Sequence, residues 1–231
     1  MKRVSPVTPQ SKMVDIANQF GQKNVKNQQG STRIIYDTLE LKVGQDIYNF
    51  FQNVNTRQFP MTNMQNGNKL EVGEMLTMQY AWLSIMTEKL TEGAIVEYQL
   101  QDLAGGSLNH SLFNGTDTTA IGGWTFTENY LKASTKIALG ELSFMVGNTQ
   151  TLKPISLQAF HPSYNKSSKN NSNTVFHFDT LLTVPPMLEF IAPVKILPLI
   201  AADLPSAASG KIYLRLHLEG AGSIISPRQN F

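Results

Sequence analysis

Four histidines, His110, His161, His177 and His217, and 17 scattered carboxylates are the residues whose types could hold a metal or move a proton. The chain has no cysteine. That excludes thiolate ligation, a cysteine nucleophile and a disulfide scaffold together, and it fits synthesis in a reducing cytosol. On alternating strand positions His177 and Asp179 share one face, as do His217 and Glu219, so each pair could offer a metal two ligands. A four-ligand cluster would need those two strands side by side. Exposed strand faces carry such residues without any metal, so no ligand is assigned. Glu71 and Glu74 flank Gly73 in a turn-like stretch and read as solvated. Gly105–Gly106 and Gly122–Gly123 lack the Lys–Ser/Thr or the helix that a phosphate loop needs, and no G-x-S-x-G elbow occurs. These residues predict no cofactor, no catalytic centre and a protein that is not an enzyme.

The elements that must position these side chains come in two kinds. In residues 1–31, SKMVDIANQFGQK puts Met13, Ile16, Ala17 and Phe20 at helical spacing between a capping Ser11 and a terminating Gly21. A short amphipathic helix is expected there. The same arm carries Lys2, Arg3, Lys12, Lys23 and Lys26 against Asp15 alone, on a chain whose remainder is slightly acidic. Such an arm suits sequence-independent contact with phosphates. It has no apolar run of the secretory kind.

From residue 32 to 231 the period changes to two. MLTMQYAW sets Leu76, Met78, Tyr80 and Trp82 on one face, AIVEYQLQ alternates likewise, and KIYLRLHLEG separates Ile212, Leu214, Leu216 and Leu218 from Lys211, Tyr213, Arg215, His217 and Glu219. The leucine face is expected in the core and the other against water or a partner. Weaker strand signals lie at 33–43, 123–127, 141–146, 155–160, 174–180 and 187–191. About nine short strands without intervening helices predict an all-β fold, an antiparallel β-sandwich. Trp82 and Trp124 fall in strand contexts that favour core packing. The stretch 185–204 is too interrupted by proline and charge for a membrane span. It is expected at a sheet edge or bend, contributing to the core and also to subunit contacts, with Leu197 and Leu199 meeting a neighbouring subunit; the alternative is a locally buried crossing segment.

NFFQNVNTRQFPMTNMQNGNKLEVGEMLTM, residues 49–78, resembles the early segment of jelly-roll capsid proteins of small tailless bacteriophages. Phe50, Phe51, Thr62, Asn63, Leu70, Gly73 and Leu76 carry the resemblance. It implies a single jelly roll, self-assembly into an icosahedral shell around the genome, and an arm on the inside. On that reading the partners are other copies of the chain, other capsid proteins, packaged nucleic acid met by the five basic residues, and an internal lipid layer. Met13, Ile16 and Phe20 would dock the arm on a neighbour, in a virion protein made in the host cytoplasm. The alternative expectation is a receptor- or carbohydrate-binding β-sandwich of a phage spike or adhesin.

Overall fold

The computed structural model describes residues 11, 28–64, 67–71, 74–89, 94–99, 136–160, 176–205 and 210–225. The helical stripe and the five basic residues of the arm, Trp124, His110, His161 and the strand expected at 123–127 lie outside these residues. Among the described residues are nine strands: β1 (Gln28–Glu40), β2 (Ile47–Phe50), β3 (Met75–Lys89), β4 (Ala94–Gln99), β5 (Glu141–Val146), β6 (Thr149–Ser156), β7 (Phe176–Val184), β8 (Phe190–Lys195) and β9 (Gly210–Ile225). They form the expected antiparallel sandwich. One sheet runs β1-β9-β3-β4, with β7 also paired to β3, and the other runs β2-β8-β5-β6.

Setting β4 aside, the pairings are nested. β1 pairs with β9, β2 with β8, β3 with β7, and β5 with β6, all antiparallel. The innermost pair closes on a two-residue turn in which Gly147 takes a positive φ of 57°, the conformation a tight hairpin demands. The β3·β9 and β8·β5 ladders then join the pairs into two sheets. Between these sheets lies one core that includes Ile35, Phe50, Phe51, Leu83, Phe144, Phe190, Leu214 and Leu216. Each such side chain contributes about 1.5–3 kcal/mol through burial. As expected, Ile212, Leu214, Leu216 and Leu218 all point into it.

Four local expectations need correction. The face assigned along MLTMQYAW holds only to Met78, because the ladder slips between Met78 and Tyr80. With Gln79 as the extra residue of a bulge, Ala81, Leu83 and Ile85 take over the core side and Tyr80 and Trp82 turn outward. The stretch 155–160 is the end of β6 followed by a 3-10 turn, Leu157–Phe160. Strand β2 lies where no strand was expected. Finally, β8 is an inner strand despite Pro193. The β5 ladder skips Ala192 and Pro193, so no partner there needs the missing N–H.

The middle of the polar face of β9 is a further departure, although Lys211 and Glu219 at its ends keep contact with water. Tyr213, Arg215 and His217 are all buried within the chain.

Candidate functional site: a buried ionic cluster and a pinned loop

On the outer face of the five-stranded sheet, Tyr36 of β1, His217 of β9 and Trp82 of β3 are direct cross-strand neighbours. The Trp82 ring stacks on the His217 ring at 4.7 Å and 8°, and the Tyr36 ring meets it at 5.8 Å and 44°. Arg215, one pair along, lies over the Tyr36 ring with its guanidinium carbon 4.5 Å from the centroid, within the range of a cation–π contact.

Arg215 is 7% exposed, and a cation so buried must spend its donors on acceptors. Nε donates to Thr38 Oγ1 at 2.9 Å, Nη1 to Glu97 Oε2 at 2.8 Å, and Nη2 to the Pro60 carbonyl at 2.6 Å. The other Glu97 oxygen, Oε1, accepts from the Ser84 hydroxyl and lies 3.0 Å from His217 Nε2. Burial would raise the Glu97 pKa, but the hydrogen bonds from His217 and Ser84 and the Arg215 charge outweigh it and hold the carboxyl down at about 2.

A serine, a histidine and a carboxylate thus sit together, and their geometry decides what they can do. A nucleophilic triad needs serine on one imidazole nitrogen and the carboxylate on the other. Here Ser84 Oγ, at 3.2 Å, and Glu97 both face Nε2, and the hydroxyl is already committed to Glu97. This arrangement does not activate Ser84. Its effect is to tie the edge strand β4, through the Glu97 side chain, and the Pro60 loop to β9 across the outer face of the sheet.

The linkage has a definite sign. A carboxyl whose folded pKa is depressed contributes stability above its unfolded value, near 4.5, and that contribution is lost as pH falls toward about 2. Denaturant midpoints followed from pH 5 to pH 2 should therefore fall less steeply in Glu97→Gln than in the unaltered protein. Parallel pH profiles for the two would show that Glu97 is not held ionised by this cluster.

The second feature is the loop from β2 to β3. Asp37, fully buried on the core side of β1, organises it. Its carboxylate accepts from the Phe51 backbone N–H at 2.7 Å and, in bidentate fashion, from Arg57 Nε and Nη2 at 2.8 Å each. Burial pushes the Asp37 pKa up, and the guanidinium beside it opposes this. Arg57 Nη2 also donates to the Gln52 carbonyl at 2.6 Å, closing a turn in which Phe51 and Asn53 have positive φ. Further on, Thr62 Oγ1 donates to the Tyr36 carbonyl, while the Asn63 side chain accepts from Tyr36 N–H and donates to the Ile34 carbonyl. The loop thereby covers the free edge of β1, the kind of edge that invites aggregation when left open.

The remaining residues singled out from sequence separate. Leu197 is 46% exposed, whereas Leu199 is 1% exposed and packed in the core, so Leu199 is not available to a neighbour. Pro198 interrupts the strand after β8, and Leu199 instead bridges to Val43 and offers its carbonyl to Gly44 N–H. The positions therefore do not share a face. His177 and Glu219 lie on opposite sides of β3, both paired to Tyr80. Two strand spacings, about 9.6 Å, are too far for one metal ion. Among the described residues no three His, Asp or Glu side chains converge on a metal position.

Sequence reasoning missed Glu97, Ser84 and Arg57. Asp37 did leave a signal, an acid between Ile35 and Leu39 at the inward parity of RIIYDTLEL. Comparison with protein-family models, curated proteins and solved structures gives no match to this chain.

Proposed function

We propose that this chain is a structural subunit that assembles with copies of itself into a closed icosahedral shell, as the capsid protein of a tailless bacteriophage. Nested pairing of eight strands, first with last and so inward, supports reading the sandwich as a jelly roll, a fold used by viral capsid domains and also by lectins. The described residues behind the capsid resemblance fit a shared scaffold. Phe50, Phe51, Leu70 and Leu76 are core, and Thr62 and Asn63 pin the loop to β1. Fold alone does not assign function.

The observation that carries the reading is a group of exposed aliphatic side chains at one end of the sandwich. Val43 is 58% exposed, Leu139 52%, Leu197 46% and Ile200 56%. They stand on three segments tied together by backbone bonds, Gly44 N–H to the Leu199 carbonyl, Ile196 N–H to Asp46, and Leu197 N–H to Lys136. The buried Asp203 carboxylate fixes the assembly further through Lys136 Nζ and Ile200 N–H. Rigid, solvent-facing apolar groups of this kind mark protein interaction surfaces. In this reading the arm's basic residues neutralise packaged nucleic acid without reading its sequence, and Met13, Ile16 and Phe20 dock on a neighbouring subunit.

The test is light scattering after size exclusion, with negative-stain microscopy of the purified full chain. Large closed particles are expected. Val43→Asp/Leu197→Asp should unfold at the unaltered temperature, because both side chains are exposed, yet remain monomeric. A wild-type chain that stays monomeric, or a double variant that still forms particles, overturns the reading.

A further inference from the structure

A cleft of about 540 Å³ opens within the β2–β3 loop, inside the range of about 300–1,000 Å³ typical of small-molecule sites. We propose that it binds a neutral polyhydroxylated ring, one or two sugar units of a glycan. This goes beyond shell assembly, since a monomer would carry the site equally.

The lining selects the ligand class. Its floor is apolar, built from the buried Val54 and Met64. Its rim carries Phe59, which is 83% exposed although the chain on either side of it is fastened. Arg57 is held by Asp37, Thr62 and Asn63 by β1, and the Pro60 carbonyl by Arg215. The ring therefore stands in water on a fastened stretch of main chain. A face ordered before binding costs little entropy to use.

Beside it, Asn55 and Gln58, both with side-chain amides, line the same cleft. Neither makes a hydrogen bond among the described residues, although the Asn55 amide rests 3.5 Å from where a Cβ on Gly67 would lie. Each amide offers both donors and an acceptor.

Charge removes the anionic ligands. Among the described residues of the lining Arg57 is the sole ionic side chain, and two of its bonds go to the buried Asp37 carboxylate. A phosphate or carboxylate would have to compete with that pair. A wholly apolar ligand would strip water from the amides and return nothing for the hydrogen bonds lost. What fits is a molecule with an apolar C–H face for Phe59 and hydroxyls that both give and accept hydrogen bonds for Asn55 and Gln58. A pyranose ring has these features. With one aromatic face and an open mouth, the site should be weak, with Kd on the order of 1 mM.

Saturation-transfer NMR on the full-length protein, with glucose, galactose, mannose, N-acetylglucosamine, maltose, cellobiose and lactose as probes, tests this. Transfer to the ring C–H protons of at least one sugar is expected. Its affinity should fall tenfold or more in Phe59→Ala and in Asn55→Ala/Gln58→Ala, with thermal unfolding unchanged because all three side chains are exposed. Absence of transfer from every probe overturns the proposal, as does transfer that survives undiminished in Phe59→Ala. A synthetic peptide of residues 1–27 that bound in a Phe59-dependent way, while no sugar did, would assign the cleft to a neighbour's arm and equally overturn it.

Discussion

Asp37→Ala should cost about 3–5 kcal/mol of unfolding free energy, the loss typical of breaking a buried ion pair from one side. Three donors lose their acceptor together: the Phe51 backbone N–H and two nitrogens of Arg57. The backbone group matters most for the fold. Phe51 has φ of 64°, a region that a bulky L-residue enters only when its surroundings compel it. Its ring is fully buried and 5.2 Å from the Phe190 ring. The Asp37 bond and this packing together hold the strained turn that starts the loop.

Asp37→Asn should recover little, because one amide oxygen cannot serve all three donors and its NH₂ would face the guanidinium. Asp37→Ala/Arg57→Met should recover part of the loss by removing the stranded cation, since apolar replacement of both members of a buried pair is often tolerated. Urea midpoints of the single and double variants measure this coupling. An Asp37→Ala protein within about 0.5 kcal/mol of the original, the range of ordinary surface substitutions, would mean that the loop is held by something else.

Asp37 also shows what was legible in the sequence and what was not. Alternation in KIYLRLHLEG identified the core face of β9 correctly, because inward parity there runs unbroken from Ile212 to Leu218. The same rule failed along β3, since one inserted residue reverses every later side chain and a bulge leaves no mark in a period-2 pattern. Trp82 was therefore expected in the core and stands outside it, stacked on His217. An acid at an inward position could have announced a buried pair, but its partner lies 20 residues on, in a stretch with no periodicity. The Arg215–Glu97 pair spans 118 residues, and only the order β9-β3-β4 brings Glu97 near. His217 and Glu219 were legible as a polar face. That the Pro60 loop and the Glu97 side chain of β4 would bury much of that face depends on contacts no local pattern encodes.

Among the described glycines Gly220→Ala should be the most damaging substitution, and the reason is the β3 bulge. Gly220 of β9 pairs with Met78 at the point where the β3 ladder slips. A Cβ there would overlap the Thr77 carbonyl and crowd Met78 Cα. These are backbone atoms of the central ladder, so no side chain can rotate away, and either the ladder opens or the chain fails to fold. A loss above about 4 kcal/mol, the exceptional end of single-site effects, is expected from denaturant unfolding.

Gly222→Ala, two residues on, is the control. Its Cβ would come 3.1 Å from the Arg33 Cβ and 3.6 Å from the Met75 carbonyl, so β1 need give by only a few tenths of an ångström at Arg33, with a much smaller loss. The decisive variant deletes Gln79 in the Gly220→Ala background. Without the extra residue Met78 still faces the core and Tyr80 still faces outward, because Tyr80 already pairs with Glu219, the next position along β9. In a regular ladder facing Cβ atoms stand about 4.5–5.5 Å apart, which leaves room for alanine. Part of the lost stability should therefore return on deletion. If the deletion instead made Gly220→Ala worse, the bulge would be required by β7, whose own pairing with β3 shifts at the same place, and the glycine would be serving that junction.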